Sequence, residues 1–230
     1  MDFSIILPSY NEYKNLRYII PELVKVFEDE KASYEILIIL KNNKLNNKKK
    51  ICNNVYRIFR EKDNSFGSAL RTGIGYAKGN YIITIDADGS HNPYEIKKIF
   101  KFYSNYDLIA FSRYIKNGST HNNFILRSMS FVLNIIFKIT FKIQLNDISN
   151  NFKVYRTSLI KNINLISQNF DIIEEIIIKL SNKNKLRIKE VESTFRKRKH
   201  GVTKRSLIKF ILSFLLTYIK LIKFKYFQSN

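Results

Sequence analysis

The sequence predicts an α/β fold, a mostly parallel sheet flanked by helices. Short apolar runs alternate with helical patterns through the first half of the chain, and polar clusters stand where the runs stop. The first run is FSIILP (3–8), followed by a helical pattern from about Glu12 to Asp29. YEILIIL (34–40) is the second run, and VYRIFR (55–60) reads as a short third strand. Between them KNNKLNNKKK (41–50) reads as an exposed loop running into a weak helix. FGSALRTGIGYAKG (66–79) reads as a helix bracketed by glycines, and YIITID (81–86) as the next strand. A helix is expected after Pro93, which suits a first helical turn, and DLIAFS (107–112) is another strand. In parallel sheets ligands collect at the carboxyl ends of the strands. Two polar clusters occupy such ends: Pro8-Ser9-Tyr10-Asn11-Glu12 and Asp86-Ala87-Asp88.

The bulk numbers bound the rest. With 230 residues, 45% of them hydrophobic, the chain suits one core and at most one appendage. Only 7 Gly and 3 Pro argue against a linker or low-complexity protein. Cys52 is the one cysteine, so no internal disulfide forms, which fits a reducing compartment. No secretory leader is expected, since FSIILPSY follows the start without a basic region or small-residue cleavage site. The net charge of +21 favours anionic surfaces such as phospholipid, polyphosphate or nucleic acid. Lys, Asn, Ile, Phe and Tyr are abundant together, as AT-rich codons produce, so part of that charge reflects codon bias.

The second half changes character. FILRSMSFVLNIIFKITFKIQL (124–145) carries Arg127, Ser130, Asn134 and Lys138 on one helical face. SLIKFILSFLLTYIKLIKFKYF (206–227) carries Ser206, Lys209, Ser213, Thr217, Lys220 and Lys223 in the same way. The longest charge-free runs are ten residues, Ser128–Phe137 and Phe210–Ile219, short of the ~20 a span needs. Two placements stay open. The apolar faces meet a bilayer interface, or they meet the protein core and leave the polar stripe in solvent.

Asp86 and Asp88 at a strand end suit Mg²⁺ or Mn²⁺, which needs one or two carboxylates while substrate phosphates fill other positions. Ser90 adds a hydroxyl beside them. A plain Asp-Gly turn has the same letters. The segments LPSYNE (7–12), FGSALRTGIGYAKGNYIITIDADGSHNP (66–93), SRY (112–114), NDISNNFKVYR (146–156) and RKHGVTK (198–204) then stand together in order. On these, the sequence resembles the inverting family-2 glycosyltransferases of the GT-A (Rossmann-like) fold. It is most similar to the dolichol- or polyprenyl-phosphate mannosyl- and glucosyltransferases.

The resemblance implies a glycosyltransferase domain over 1–203 and an amphipathic membrane-interface helix over 204–230. It implies that Pro8, Tyr10, Glu12 and Asp86 contact the nucleotide and that Asp86, Asp88 and Ser90 hold the metal. Asp88, Arg198 and Lys204 carry the catalysis, the last two as cations on the phosphates. Arg113, Arg127 and Asp147 lie toward the acceptor or its phosphate. The implied partners are a nucleotide sugar (GDP-mannose or UDP-glucose), a polyprenyl phosphate, the membrane surface and a membrane-anchoring partner subunit, with no nucleic acid. The implied place is the cytoplasmic face of a membrane, peripherally bound.

The sequence departs from the family pattern after the second run. LKNNK (40–44) stands where an Asp-Asp-Gly-Ser segment is usual, and Asn150-Asn151 replaces a Ser-Gly pair. Two further readings follow. The same fold could act on a sugar hydroxyl, with Asp147 as base, or could be an inactive binding protein on membrane or nucleic acid. His91, His121 and His200 lack metal-ligand spacing and are given no catalytic role.

Overall fold

The computed structural model describes residues 1–41, 49–60, 63–183, 185–198 and 207–227. Its centre is an eight-stranded sheet. In chain order the elements begin with β1 (Phe3–Pro8), α1 (Tyr13–Asp29), β2 (Tyr34–Leu40), β3 (Lys49–Cys52), β4 (Val55–Phe59), α2 (Phe66–Tyr76) and β5 (Tyr81–Thr84). A 3₁₀ segment follows at Pro93–Ile99, then β6 (Leu108–Ser112), β7 (Ser119–Thr120) and α3 (Phe124–Phe141). The chain closes with β8 (Lys153–Arg156), α4 (Thr157–Ile160), α5 (Ile172–Lys183), β9 (Ile188–Glu192), β10 (Thr194–Phe195) and α6 (Leu207–Phe227).

The strand order is β3-β4-β2-β1-β5-β8-β6-β9. Pairs β1–β2, β1–β5, β2–β4 and β6–β9 are parallel, whereas β8 runs antiparallel between β5 and β6. The predicted mostly parallel sheet is therefore present. Three assignments change. Residues 49–52 form the antiparallel edge strand β3, not a weak helix, and 42–48 lie outside the described residues. The helix after Pro93 is 3₁₀, capped by Asn92, whose side chain accepts from the Tyr94 amide. The NDISNNFKVYR segment ends in β8, a strand that its polar start concealed.

The core divides by strand parity. Phe3, Ile5 and Leu7 of β1 face Leu16, Ile19, Leu23 and Phe27 of α1, while Ile6 faces α2 and α5 on the other side. Both faces are covered, which is why the parallel strands read as continuous apolar runs. Gly73 lets α2 lie flat on the sheet, since a Cβ there would stand 2.5 Å from Ile6 Cγ2. Two strands meet at the place that matters: β1 and β5 are neighbours, and both polar clusters leave from their carboxyl ends.

Helix α3 does not sit as a simple core helix. Asn134 is buried, and its Oδ1 accepts from the backbone N–H of Ile148 (2.9 Å) and Ser149 (3.1 Å). Ser130 bonds Ser149 (3.1 Å), and Lys138 donates to Asn146 (2.7 Å). Ser130 and Asn134 of the polar stripe thus face the protein beside the buried Phe137 and Phe141, while Arg127 and Lys138 stay exposed. The apolar side is outward: Phe124 is 81% and Ile139 71% exposed, with Ile125, Phe131, Val132 and Ile135 also open. The placement with a wholly solvated stripe is corrected for Ser130 and Asn134, which find loop amides and hydroxyls to bond. Helix α6 joins α3 through Tyr218 and Thr140 (2.7 Å) and exposes Leu215, Leu216 and Ile219. Among the described residues α3 is the one helix long and apolar enough to cross a membrane by length and composition. Its charge-free run alone had argued against that. Its burial of Asn134, Phe137 and Phe141 ties it along the domain surface.

Candidate active site

The chain leaves β5 at Ile85, whose amide still bonds Ile6, and turns sharply. Gly89 makes the turn at φ 79°, a left-handed conformation that a side chain disfavours. Asp86 and Asp88 are presented just before it. Asp86 Oδ1 accepts from Asn151 Nδ2 at 2.9 Å, and Oδ2 lies 3.2 Å from His91 Nε2. Burial would push this carboxyl up, but the His91 and Asn151 bonds, with Arg198 nearby, hold it below its ordinary range. Asp88 Oδ1 accepts from the Ser90 amide (3.0 Å), and Oδ2 meets Arg198 Nε at 2.9 Å. Ser90 is fully buried, and its Oγ has no partner. The Ser90 carbonyl accepts from the Arg196 amide (2.8 Å), which docks the segment leading to Arg198 against the turn.

His91 is the residue that sequence reasoning missed. Its ring is buried between Phe152 and Phe195, at centroid distances of 5.0 and 5.2 Å, and it braces Asp86. Asn151 was read only as a departure, yet it holds the other oxygen of Asp86. Asn150 donates to the Phe111 carbonyl (2.6 Å). The signal was the adjacency of His91 to the carboxylate pair, and spacing rules for metal ligands do not test that.

Arg113 and Asp147 form a pair of their own. The Arg113 amide and Nε donate to Asp147 Oδ2 (2.9 and 2.7 Å), and Nη2 to Oδ1 (2.7 Å). Asp147 is wholly buried. Burial would raise its carboxyl, but Arg113 keeps it lowered. Nη2 of Arg113 also reaches Ser130 (3.2 Å) and Ser149 (3.0 Å). This arginine ties residues 147–149 to α3. Arg127 is exposed on the first turn of α3. Pro8 ends β1 buried, Tyr10 stands exposed beyond it, and Glu12 accepts from Asn15 Nδ2 (2.6 Å) at the start of α1. Lys204 lies outside the described residues.

Asp86, Asp88, Ser90 and Arg198 therefore come together, with Tyr10 at the adjacent strand end. Among the described residues no group of three or more His, Cys, Asp or Glu forms a ready metal cage. A hard cation that takes two carboxylates and completes its shell with phosphates and water fits this donor set. The unpartnered Ser90 Oγ is a further oxygen beside it.

Residues 4–163 match the model of glycosyl transferase family 2. The chain belongs to that family. A glycosyltransferase of Synechocystis sp. that is otherwise uncharacterised is 32% identical over 128 residues, 52% of this chain and 40% of that protein. The dolichol-phosphate mannosyltransferase of Pyrococcus furiosus is 29% identical over 217 residues, 89% of this chain and 59% of that protein. The chain thus spans about half the length of these two relatives. Glucosyl-3-phosphoglycerate synthase from Mycobacterium tuberculosis, in complex with Mn²⁺, UDP-glucose and phosphoglyceric acid, aligns with a TM-score of 0.67. That match covers 96% of this chain and 79% of that one at 12% identity, a likeness of fold. The GT-A architecture follows from both comparisons.

Proposed function

We propose that this glycosyltransferase moves one sugar, mannose or glucose, from a nucleotide sugar to a polyprenyl or dolichyl phosphate. It works as a peripheral protein on the cytoplasmic face of a membrane. The observation that carries the reading is helix α3, which is held to the protein by Asn134, Phe137 and Phe141 and leaves Phe124, Ile125, Phe131, Val132 and Ile139 exposed. Arg127 stands exposed on its first turn, suited to the acceptor phosphate. The mannosyltransferase relative lends support over 89% of the chain.

The acceptor phosphate is already an anion, so no strong general base is required. One of its oxygens attacks the anomeric carbon from the face opposite the leaving group. The bond from that carbon to the diphosphate oxygen breaks, and the configuration inverts. Asp86 and Asp88 would hold Mg²⁺ or Mn²⁺, which supplies charge neutralisation for the diphosphate. His91 and Asn151 fix Asp86 in advance, so orientation costs little at the moment of reaction. Arg198 lies within reach of the same oxygens, and Lys204 is assigned a similar role by the family resemblance. A hydroxyl acceptor would need a free carboxylate base, and Asp147 is spent on Arg113.

Flotation with anionic vesicles at low salt, followed by transfer to lipid phosphate read as released nucleoside diphosphate, tests the reading. Vesicle binding and turnover with Mn²⁺ are expected. Protein that stays in solution and glycosylates only a soluble hydroxyl would overturn the lipid acceptor. Asp88→Asn should abolish turnover at an unchanged melting temperature. Undiminished activity of that variant, or of the wild type in chelator, would sink the metal site.

A further inference from the structure

A lysine stands in the middle of the sheet. Lys153 lies on β8, paired with Thr84 of β5 and Ala110 of β6, and its side chain is wholly buried. Burial lowers its ammonium to about 8, against the opposite pull of Asp147 and Glu174. The ammonium donates to two backbone carbonyls, those of Ile148 (2.9 Å) and Asn150. Both belong to the loop between α3 and β8.

That loop is fastened from two sides. The amides of Asn146 and Asp147 donate to Glu190 of β9 (3.0 and 3.2 Å), and those of Ile148 and Ser149 donate to Asn134 of α3. The carbonyls of Ile148 and Asn150 point the other way, onto Lys153. The next carbonyl, of Asn151, accepts from the Thr84 hydroxyl. With the backbone held on either side of it, the Asn151 side chain reaches Asp86 Oδ1 at 2.9 Å. A side chain without a donor at position 153 would leave two inward carbonyls bare, and buried acceptors do not stay unpaired. The loop would turn to find other donors, and Asn151 would move with it.

We propose that Lys153 is a positioning residue for the metal carboxylate: it sets the loop from which Asn151 presents Asp86 to the cation. The inference rests on the reading of Asp86 and Asp88 as holders of Mg²⁺ or Mn²⁺. Groups that orient a ligating carboxylate change metal affinity by about tenfold to a hundredfold when removed, although they never touch the metal. Lys153 would act one bond further out, through Asn151.

Titration of Mn²⁺ into the full chain, with UDP in one arm and GDP in the other, tests this by calorimetry beside a melting curve. Asn151→Ala should weaken Mn²⁺ binding by about tenfold or more. Lys153→Met should weaken it by a similar factor. The double variant should lose no more than the larger single effect, because both changes act through one bond. Lys153→Gln keeps a donor for one carbonyl and should fall between wild type and Lys153→Met. Wild-type Mn²⁺ affinity in Lys153→Met with only a lowered melting temperature would make Lys153 a core residue and nothing more. The same result in Lys153→Gln would do so should Lys153→Met not fold. Losses that multiply in the double variant, or an unchanged affinity in Asn151→Ala, would break the link to Asp86 and leave the metal site standing. Wild-type protein that takes no Mn²⁺ with either nucleotide would overturn the metal reading itself, and this inference with it.

Discussion

Helices α1 and α3 have nearly the same length, 17 and 18 residues, and differ in how much of their apolar surface they bury. Helix α1 buries Leu16, Ile19, Leu23, Val26 and Phe27 on the sheet and leaves Lys14, Arg17 and Lys25 in solvent. Helix α3 lays Ser130, Asn134, Phe137 and Phe141 against the protein and leaves Phe124, Phe131 and Ile139 outside. The difference teaches that an amphipathic period names a face but not its partner. An apolar stripe goes to the nearest apolar surface, and α1 finds the sheet. A polar stripe can go inward only where donors await it, and Asn134 finds the amides of Ile148 and Ser149.

Four substitutions break or sharpen that comparison. On the conventional side, Phe27→Ala opens a cavity among Phe3, Tyr34 and Phe100 and should lower stability by about 3–5 kcal/mol in denaturant titration. On α3, Asn134→Leu adds an apolar group but strips two amides of their acceptor, and should cost about 1–3 kcal/mol. A stabilised Asn134→Leu would mean that α3 behaves as an ordinary core helix.

The exposed ion-pair cluster at the sheet edge gives a smaller yardstick. Asp107 is lowered to about 2, first by its Arg187 hydrogen bond and then by Arg156, against the penalty of burial. A carboxyl lowered on folding adds stability that is full above about pH 4 and lost as pH falls toward 2. Asp107→Asn should therefore cost about 1 kcal/mol or less at neutral pH and flatten the acid limb of the stability curve. A variant with the wild-type acid limb would remove Asp107 from that account. The smallest effect on folding belongs to the outward face. Ile139→Ser should change stability by no more than about 0.5 kcal/mol, yet weaken vesicle binding by up to about tenfold. A large loss of stability instead would mean that Ile139 is packed.

Much of this was legible in the sequence. Strands buried on both faces read as unbroken apolar runs, which is why β1, β2 and β5 stood out. Asp86 and Asp88 stood out only together with the other segments in order, since a plain Asp-Gly turn has the same letters. Strand β3 was missed because Lys49 and Lys50 look like loop, and an edge strand needs no apolar face. The bond of Arg113 to Asp147 was not legible, because the two lie 34 residues apart and no local pattern carries such a pairing. His91 and Asn151 were passed over for the same reason: each acts on Asp86 through the fold rather than through spacing.

The small parallel ladder of β7 and β10 has one more consequence. It joins Ser119–Thr120, just ahead of α3, to Thr194–Phe195, three residues before Arg198. The His121 amide bonds the Phe195 carbonyl (2.8 Å), and the Ser119 amide bonds that of Ser193 (3.0 Å). The chain entering α3 and the segment that leads to Arg198 are thus joined. The same short ladder therefore fixes both where α3 begins and where the segment that brings Arg198 to Asp88 runs.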